Sequence, residues 1–160
     1  MLVVMDTVEI PVARASTNAV LPQVMQPGDV AADVAASRAA VVPARGRTLV
    51  PTDLVLALPA GFRARLHSRS GLSLKHGVEV GAGLIDQGFR LPIQVLLYNH
   101  SDVDFAVAPG DRIAQLCIER YSHPSFREVD AIPPTERGAG WGSSGVAAQP
   151  GGRDDAGVAP

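Results

Sequence analysis

The chain has 160 residues and a formal net charge of −2 at pH 7. That size fits one domain with a tail, and that charge gives no electrostatic footprint for nucleic acid or an anionic membrane. Cys117 is the only cysteine, which excludes an intrachain disulfide and points to a reducing compartment. Aromatics make up only 4% of the chain, so the core must be aliphatic, and contacts between copies are expected to complete its burial.

The N-terminus, Met1-Leu-Val-Val-Met-Asp6, lacks the basic region of a secretory signal. No apolar run is long enough to cross a bilayer. A first strand is expected over Val8 to Val12, and Gln26-Pro-Gly-Asp29 is a turn signal. Ala31-Ala-Asp33-Val-Ala-Ala36 is too short and uncapped for a helix despite its alanines, and reads as an irregular extended loop. Val41 to Gly46 and Thr48 to Pro51 read as strands around a turn. Asp53 to Leu58 reads as a strand stopped by Pro59-Ala-Gly61.

Phe62-Arg-Ala-Arg-Leu-His-Ser-Arg69 alternates cleanly. Phe62, Ala64 and Leu66 face one way and Arg63, Arg65 and His67 the other, which predicts a strand with one wet face. Gly71-Leu-Ser-Leu-Lys-His76 suits a single helical turn. Leu91 to Leu97 carries apolar residues on both faces and reads as a fully buried strand. Asn99-His-Ser-Asp102 is a turn, and Asp104–Val107, Ile113–Tyr121 and Phe126–Ile132 are the remaining expected strands. Short, evenly spaced strands with glycine and proline punctuation predict an all-β sandwich or barrel. From Pro133 the composition turns to Gly, Pro, Ala, Ser and charge, which predicts a flexible tail.

Four patches carry chemistry. Gly81-Ala-Gly-Leu-Ile-Asp86-Gln-Gly-Phe89 sets a lone acid at a glycine-flanked turn, either exposed for solubility or held as a general base for water. Ser68-Arg-Ser-Gly-Leu72 is either a capped turn or a gathering of N–H groups and a guanidinium for phosphate. Gly110-Asp-Arg-Ile-Ala-Gln115-Leu places an amide inside a buried-looking strand, where it needs a partner from backbone or substrate. Arg137-Gly-Ala-Gly-Trp141-Gly-Ser-Ser-Gly145 holds the only tryptophan within a glycine-rich run. His67, His76, His100 and His123 show no zinc spacing, and Ser70 has no elbow or triad partner in view.

These patches, with Ala31-Ala-Asp33-Val34 ahead of them, resemble the five ordered motifs of the trimeric dUTP nucleotidohydrolases (dUTPases) over roughly residues 8 to 145. The resemblance implies a jelly-roll-like β-sandwich, a homotrimer, and three active sites that each draw on all three subunits. It divides the chain into a β domain, 1–132, and a flexible C-terminal arm, 133–160, that carries the fifth motif over 137–145. It implies hydrolysis of dUTP to dUMP and pyrophosphate with Mg²⁺, limiting uracil in DNA, in the cytoplasm or nucleus and with no nucleic-acid or membrane partner. Carried over by position, Asp86 is the base and Asp33 holds the metal through water. Arg69, Ser70, Gly71 and Gln115 contact phosphates, and Gly83 reads uracil through its backbone. Phe89 packs on the deoxyribose, Trp141 stacks on uracil, Arg137 reaches the γ-phosphate, and Gly142 and Ser143 complete the substrate contacts.

Four positions depart from the family pattern. Phe89 stands where Tyr is usual, Ser68 where Pro is usual, and Leu91 where Gly is usual; Trp141 follows Arg137 by four residues instead of five. Ser68 is expected to loosen its turn, and Leu91 to be strained if that turn needs φ > 0. These changes leave a second class open: a dUTPase-fold protein acting as a nucleotide-binding or protein-interaction module without turnover.

Overall fold

The computed structural model describes residues 7–134; the fifth motif, with Arg137, Trp141, Gly142 and Ser143, lies outside them. The chain divides into two compact units, Met1–His123 and Pro124–Pro160. The first contains eleven strands and one helix among its described residues: β1 (Val12–Arg14), β2 (Ala32–Ala35), β3 (Ala40–Val42), β4 (Arg47–Pro51), β5 (Leu54–Leu56), β6 (Phe62–His67), α1 (Ser70–His76), β7 (Val78–Gly81), β8 (Leu84–Ile85), β9 (Gln94–Asn99), β10 (Phe105–Val107) and β11 (Arg112–Arg120).

All strand pairs are antiparallel. One sheet runs β2-β11-β6-β8, a second β4-β9-β7, and the short pairs β1-β5 and β3-β10 complete the β-sandwich. A single apolar cluster joins them, drawing Val34 from β2, Val50 from β4, Leu66 from β6, Val95 and Leu97 from β9, and Leu116 from β11. Among the described residues no aromatic ring is buried, so packing rests on branched aliphatics, each worth roughly 1.5–3 kcal/mol when fully buried.

The alternation of β6 is borne out: Ala64 and Leu66 are buried while His67 is exposed. Other expectations are corrected. The alanine-rich Ala31–Ala36 segment is not an irregular loop. Its centre is β2, and Asp33, Val34 and Ala35 are buried there, because pairing with β11 overrides helix propensity. The first strand starts at Val12, not Val8. The Leu91–Leu97 run is not buried on both faces: β9 begins at Gln94 and alternates, and Leu91 is 66% exposed. Phe126–Ile132 forms no strand, and these residues are exposed. Cys117 is half-buried rather than in the core; it pairs with Arg65 on the face away from the apolar cluster.

Asp53 is buried and has a left-handed φ of 54°, a conformation that Asp tolerates better than most residues. Ser16 Oγ donates to its carboxylate at 2.7 Å, and Arg38 Nη2 reaches both oxygens at 3.1 Å. The backbone N–H of Ala15 donates to its carbonyl at 2.8 Å, tying the β1 end to the start of β5. The Ser16 hydrogen bond, helped by Arg38 and Ser37 and opposed by burial, holds this carboxyl below the ordinary range. A depressed folded-state value means stability that is present above the unfolded carboxylate range and lost as pH falls through the lowered value. Asp53→Asn therefore lowers Tm at pH 7 by roughly several degrees and flattens the acid decline of Tm below about pH 4. Melting curves at stepped pH check both effects, and parallel curves for the two proteins would contradict them.

Candidate active site

The described sequence-named residues fall in two places on one sheet. In one, Asp33 of the edge strand β2 pairs with Gln115 of β11, which pairs with His67 of β6. Directly opposed residues share a face, so these three form a polar row on the side away from the core. Asp33 is 7% exposed, and its backbone exchanges two hydrogen bonds with Gln23. Arg112 Nη1 donates to Asp33 Oδ2 at 2.9 Å, and Arg69 Nη2 lies 3.4 Å from the same oxygen. Arg69 Nη1 also donates to the Arg112 carbonyl at 2.7 Å. The guanidinium expected to meet phosphate is thus fixed before any ligand arrives.

Ser70 and Gly71 open α1 directly after Arg69. The first N–H groups of a helix have no intrahelical acceptor, and both residues are exposed. A cleft of about 410 Å³ lies beside them, lined by Arg69, Leu72, Asp111 and Arg112 among others. Gln115 is half-buried rather than buried. Its place in the polar row leaves its amide turned outward instead of into the apolar cluster.

Ser68 does not loosen this turn. Its hydroxyl accepts a hydrogen bond from the Val80 N–H at 2.8 Å, so a contact that proline could not make ties the end of β6 to β7. The sequence reading also gave no role to Arg112, the nearest cation to Asp33. Its position at the start of β11, opposite Ala35 of β2, was the signal available.

At the β8 edge of the sheet stands the Asp86 turn. Strand β8 pairs only with β6, through Ala64–Ile85 and Arg65–Leu84. Gly83 lies so close to β6 that an added Cβ would collide with the Leu66 carbonyl, and the Leu66 N–H donates to the Gly83 carbonyl at 2.8 Å. A second cleft, about 420 Å³, is lined here by Arg65, Leu66, His67, Ala82, Gly83 and Leu84. Asp86 is exposed and begins a turn in which the Phe89 N–H donates to the Asp86 carbonyl at 3.0 Å. Phe89 is 41% exposed, so its ring is free to pack on a ligand. Arg90 Nη1 donates to the carbonyls of Gln87 and Phe89 and braces the turn from behind.

Leu91 is not strained. The positive-φ residues other than glycine, among those described, are Arg45, Asp53 and Ala82. The left-handed conformation falls on Ala82, between the two glycines, at φ 46°. Among the described residues no group of three or more His, Cys, Asp or Glu side chains could hold a metal, and no helix is long and apolar enough to cross a membrane.

The dUTPase family model matches residues 17–145. The deoxyuridine 5'-triphosphate nucleotidohydrolase of Oryza sativa subsp. japonica is 51% identical over 136 residues, covering 84% of this chain and 80% of the relative. The Arabidopsis thaliana protein of the same name is 48% identical over 136 residues, covering 84% of this chain and 82% of the relative. Among solved structures, the Staphylococcus bacteriophage 80alpha dUTPase with dUpNHpp superposes with a TM-score of 0.81 at 27% identity, covering 88% of this chain and all of that one. A family match over most of the chain, the identity to plant relatives and the shared β-sandwich lead to one conclusion: this chain belongs to the dUTPase family.

Proposed function

We propose that the protein hydrolyses dUTP to dUMP and pyrophosphate at sites built between copies of a homotrimer. The observation that carries this reading is the separation of the two motif sets. Asp33 and the strand that leads into the Asp86 turn lie at opposite edges of a four-stranded sheet, about 14 Å apart along the sheet at normal strand spacing. This separation favours a site in which the Asp86 turn of one copy meets the Asp33 edge of another. The substrate is supported by the phage 80alpha relative, whose solved form carries dUpNHpp.

In this mechanism Asp86 takes a proton from a water that attacks the α-phosphorus, and pyrophosphate leaves. Arg69, the Ser70 and Gly71 N–H groups and Gln115 bind and orient the phosphates, and their donors meet the charge that develops. Gly83 and its neighbours face uracil through the backbone, and Phe89 packs on the deoxyribose. The donor set fits Mg²⁺ held mainly by phosphates and water: a single carboxylate, Asp33, already shared with Arg69 and Arg112 at one oxygen. When bound, the ion neutralises triphosphate charge. A structural Mg(II) ion is described for the phage phi11 dUTPase. The β domain, 1–132, carries the first four motifs. Arg137, Trp141, Gly142 and Ser143 of the arm, 133–160, lie outside the described residues, and their proposed role is to contact the nucleotide.

Pyrophosphate release with dUTP against dCTP, dTTP and UTP, with and without Mg²⁺, tests the reading; selective release from dUTP is expected. Trp141 is the only tryptophan, so its emission reports the arm alone. A non-hydrolysable dUTP analogue with Mg²⁺ quenches that emission saturably and dCTP does not. Quenching without any pyrophosphate release would instead assign a binding module.

A further inference from the structure

The turn that carries Asp86 follows a strand of only two residues, paired on one side and to two partners. By strand pairing alone it would be the least restrained part of the sheet. Two side chains, one local and one distant in sequence, grip its corner residue, Gln87. Arg90 holds the Gln87 carbonyl, and the Tyr121 hydroxyl donates to Gln87 Oε1 at 2.8 Å across 34 residues of sequence.

Tyr121 is well placed to anchor something. It follows β11, the longest strand at nine residues, which pairs with β2 on one side and β6 on the other. Its backbone N–H donates to the Gly61 carbonyl at 3.0 Å. Its ring meets His123 edge-on at 4.9 Å, and its hydroxyl lies 3.3 Å from His123 Nε2. A phenol has one hydrogen to give. With that hydrogen on Gln87, the bond to His123 requires a ring N–H donating to the phenol oxygen. Gln87 is therefore tied to the end of the interior strand β11 through Tyr121, with His123 behind it.

We propose that Tyr121 is a positioning residue for the Asp86 turn, acting through the Gln87 side chain. The turn sets both the Asp86 carboxylate and the Phe89 ring, because the Asp86 carbonyl accepts the Phe89 N–H. A displacement of the Gln87 corner moves base and ring together, and a base serves only within a few tenths of an ångström of its productive place. The effect falls mainly on turnover, since the phosphate-binding residues lie outside this turn, with a smaller effect on substrate capture through the Phe89 ring.

The inference rests on the dUTP reading, and the test separates the two. Full-length Tyr121→Phe, which removes only the hydroxyl, is expected to lose about fivefold in kcat, the rate equivalent of one neutral hydrogen bond. KM rises by less than kcat falls, melting temperature stays as in the parent, and the Phe89 amide exchanges faster with solvent. In a Gln87→Leu background the same change costs nothing more; in a Gln87→Glu background, which keeps an acceptor, the loss returns. An unchanged kcat in Tyr121→Phe, a full fivefold loss on top of Gln87→Leu, or a loss that tracks a lower melting temperature would each overturn the tether. A parent protein that releases no pyrophosphate from dUTP would overturn the function instead, and the Phe89 exchange rate would still decide the tether.

Discussion

Asp86→Asn is expected to lose between about a hundredfold and ten-thousandfold in pyrophosphate release from dUTP, the range that a positioned base contributes. Nucleotide affinity should stay within about tenfold, or about 1.4 kcal/mol. The amide keeps the shape of the side chain and cannot take the proton. Nothing in the turn depends on the carboxylate itself: the hydrogen bonds that shape it run from the Phe89 N–H to the Asp86 carbonyl, from Arg90 to two further carbonyls, and from Tyr121 to Gln87. Single-turnover rates and equilibrium binding of a non-hydrolysable analogue separate the two effects. Turnover close to that of the parent would move the role of base to another residue.

Gly83→Ala is expected to damage fold and function together. The new methyl group would collide with the Leu66 carbonyl, and backbone on a central strand yields little. The Leu66 N–H to Gly83 carbonyl bond, at 2.8 Å, holds the same two strands together, so relief by separation would sacrifice it. Overpacking of this kind costs about 2 kcal/mol, or roughly 5–10 °C in Tm, and it displaces the backbone proposed to read uracil. Gly88→Ala is the matched control, because a Cβ there meets nothing within 4 Å and stability should hold. Equal melting temperatures for the two variants would show that β8 can leave β6 without cost.

How much of this was legible depends on how far each feature rests on local pattern. Strand β6 was readable because its wet face alternates arginine and histidine with buried Ala64 and Leu66. Strand β2 was not, because alanine signals helix and only pairing with β11 makes it a strand. The short β7 and β8 carry too few residues to show a period, and Phe126–Ile132 has apolar residues but no partner strand. The site followed the same rule. Asp86, Arg69, Gln115 and Asp33 were visible as motif residues, whereas their division between two places on one sheet came only with the strand order. The consequence of Ser68 was misread because it depends on what lies across space, the Val80 N–H, and the condition for strain at Leu91 is not met because the left-handed φ falls on Ala82. The Tyr121–Gln87 bond joins positions with no shared local pattern.

The separation of the Asp33 edge from the Asp86 edge has a genetic consequence. Under the proposed assembly, a lesion at one edge disables a different site from a lesion at the other edge of the same chain. An Asp86→Asn chain still offers an intact Gln115, and a Gln115→Ala chain still offers an intact Asp86. Each variant alone assembles only crippled sites. Unfolded together and refolded as mixed assemblies, they form some sites that take each residue from the unharmed source. Two inactive alleles expressed in one cell would then complement each other, as alleles of a protein with self-contained active sites do not.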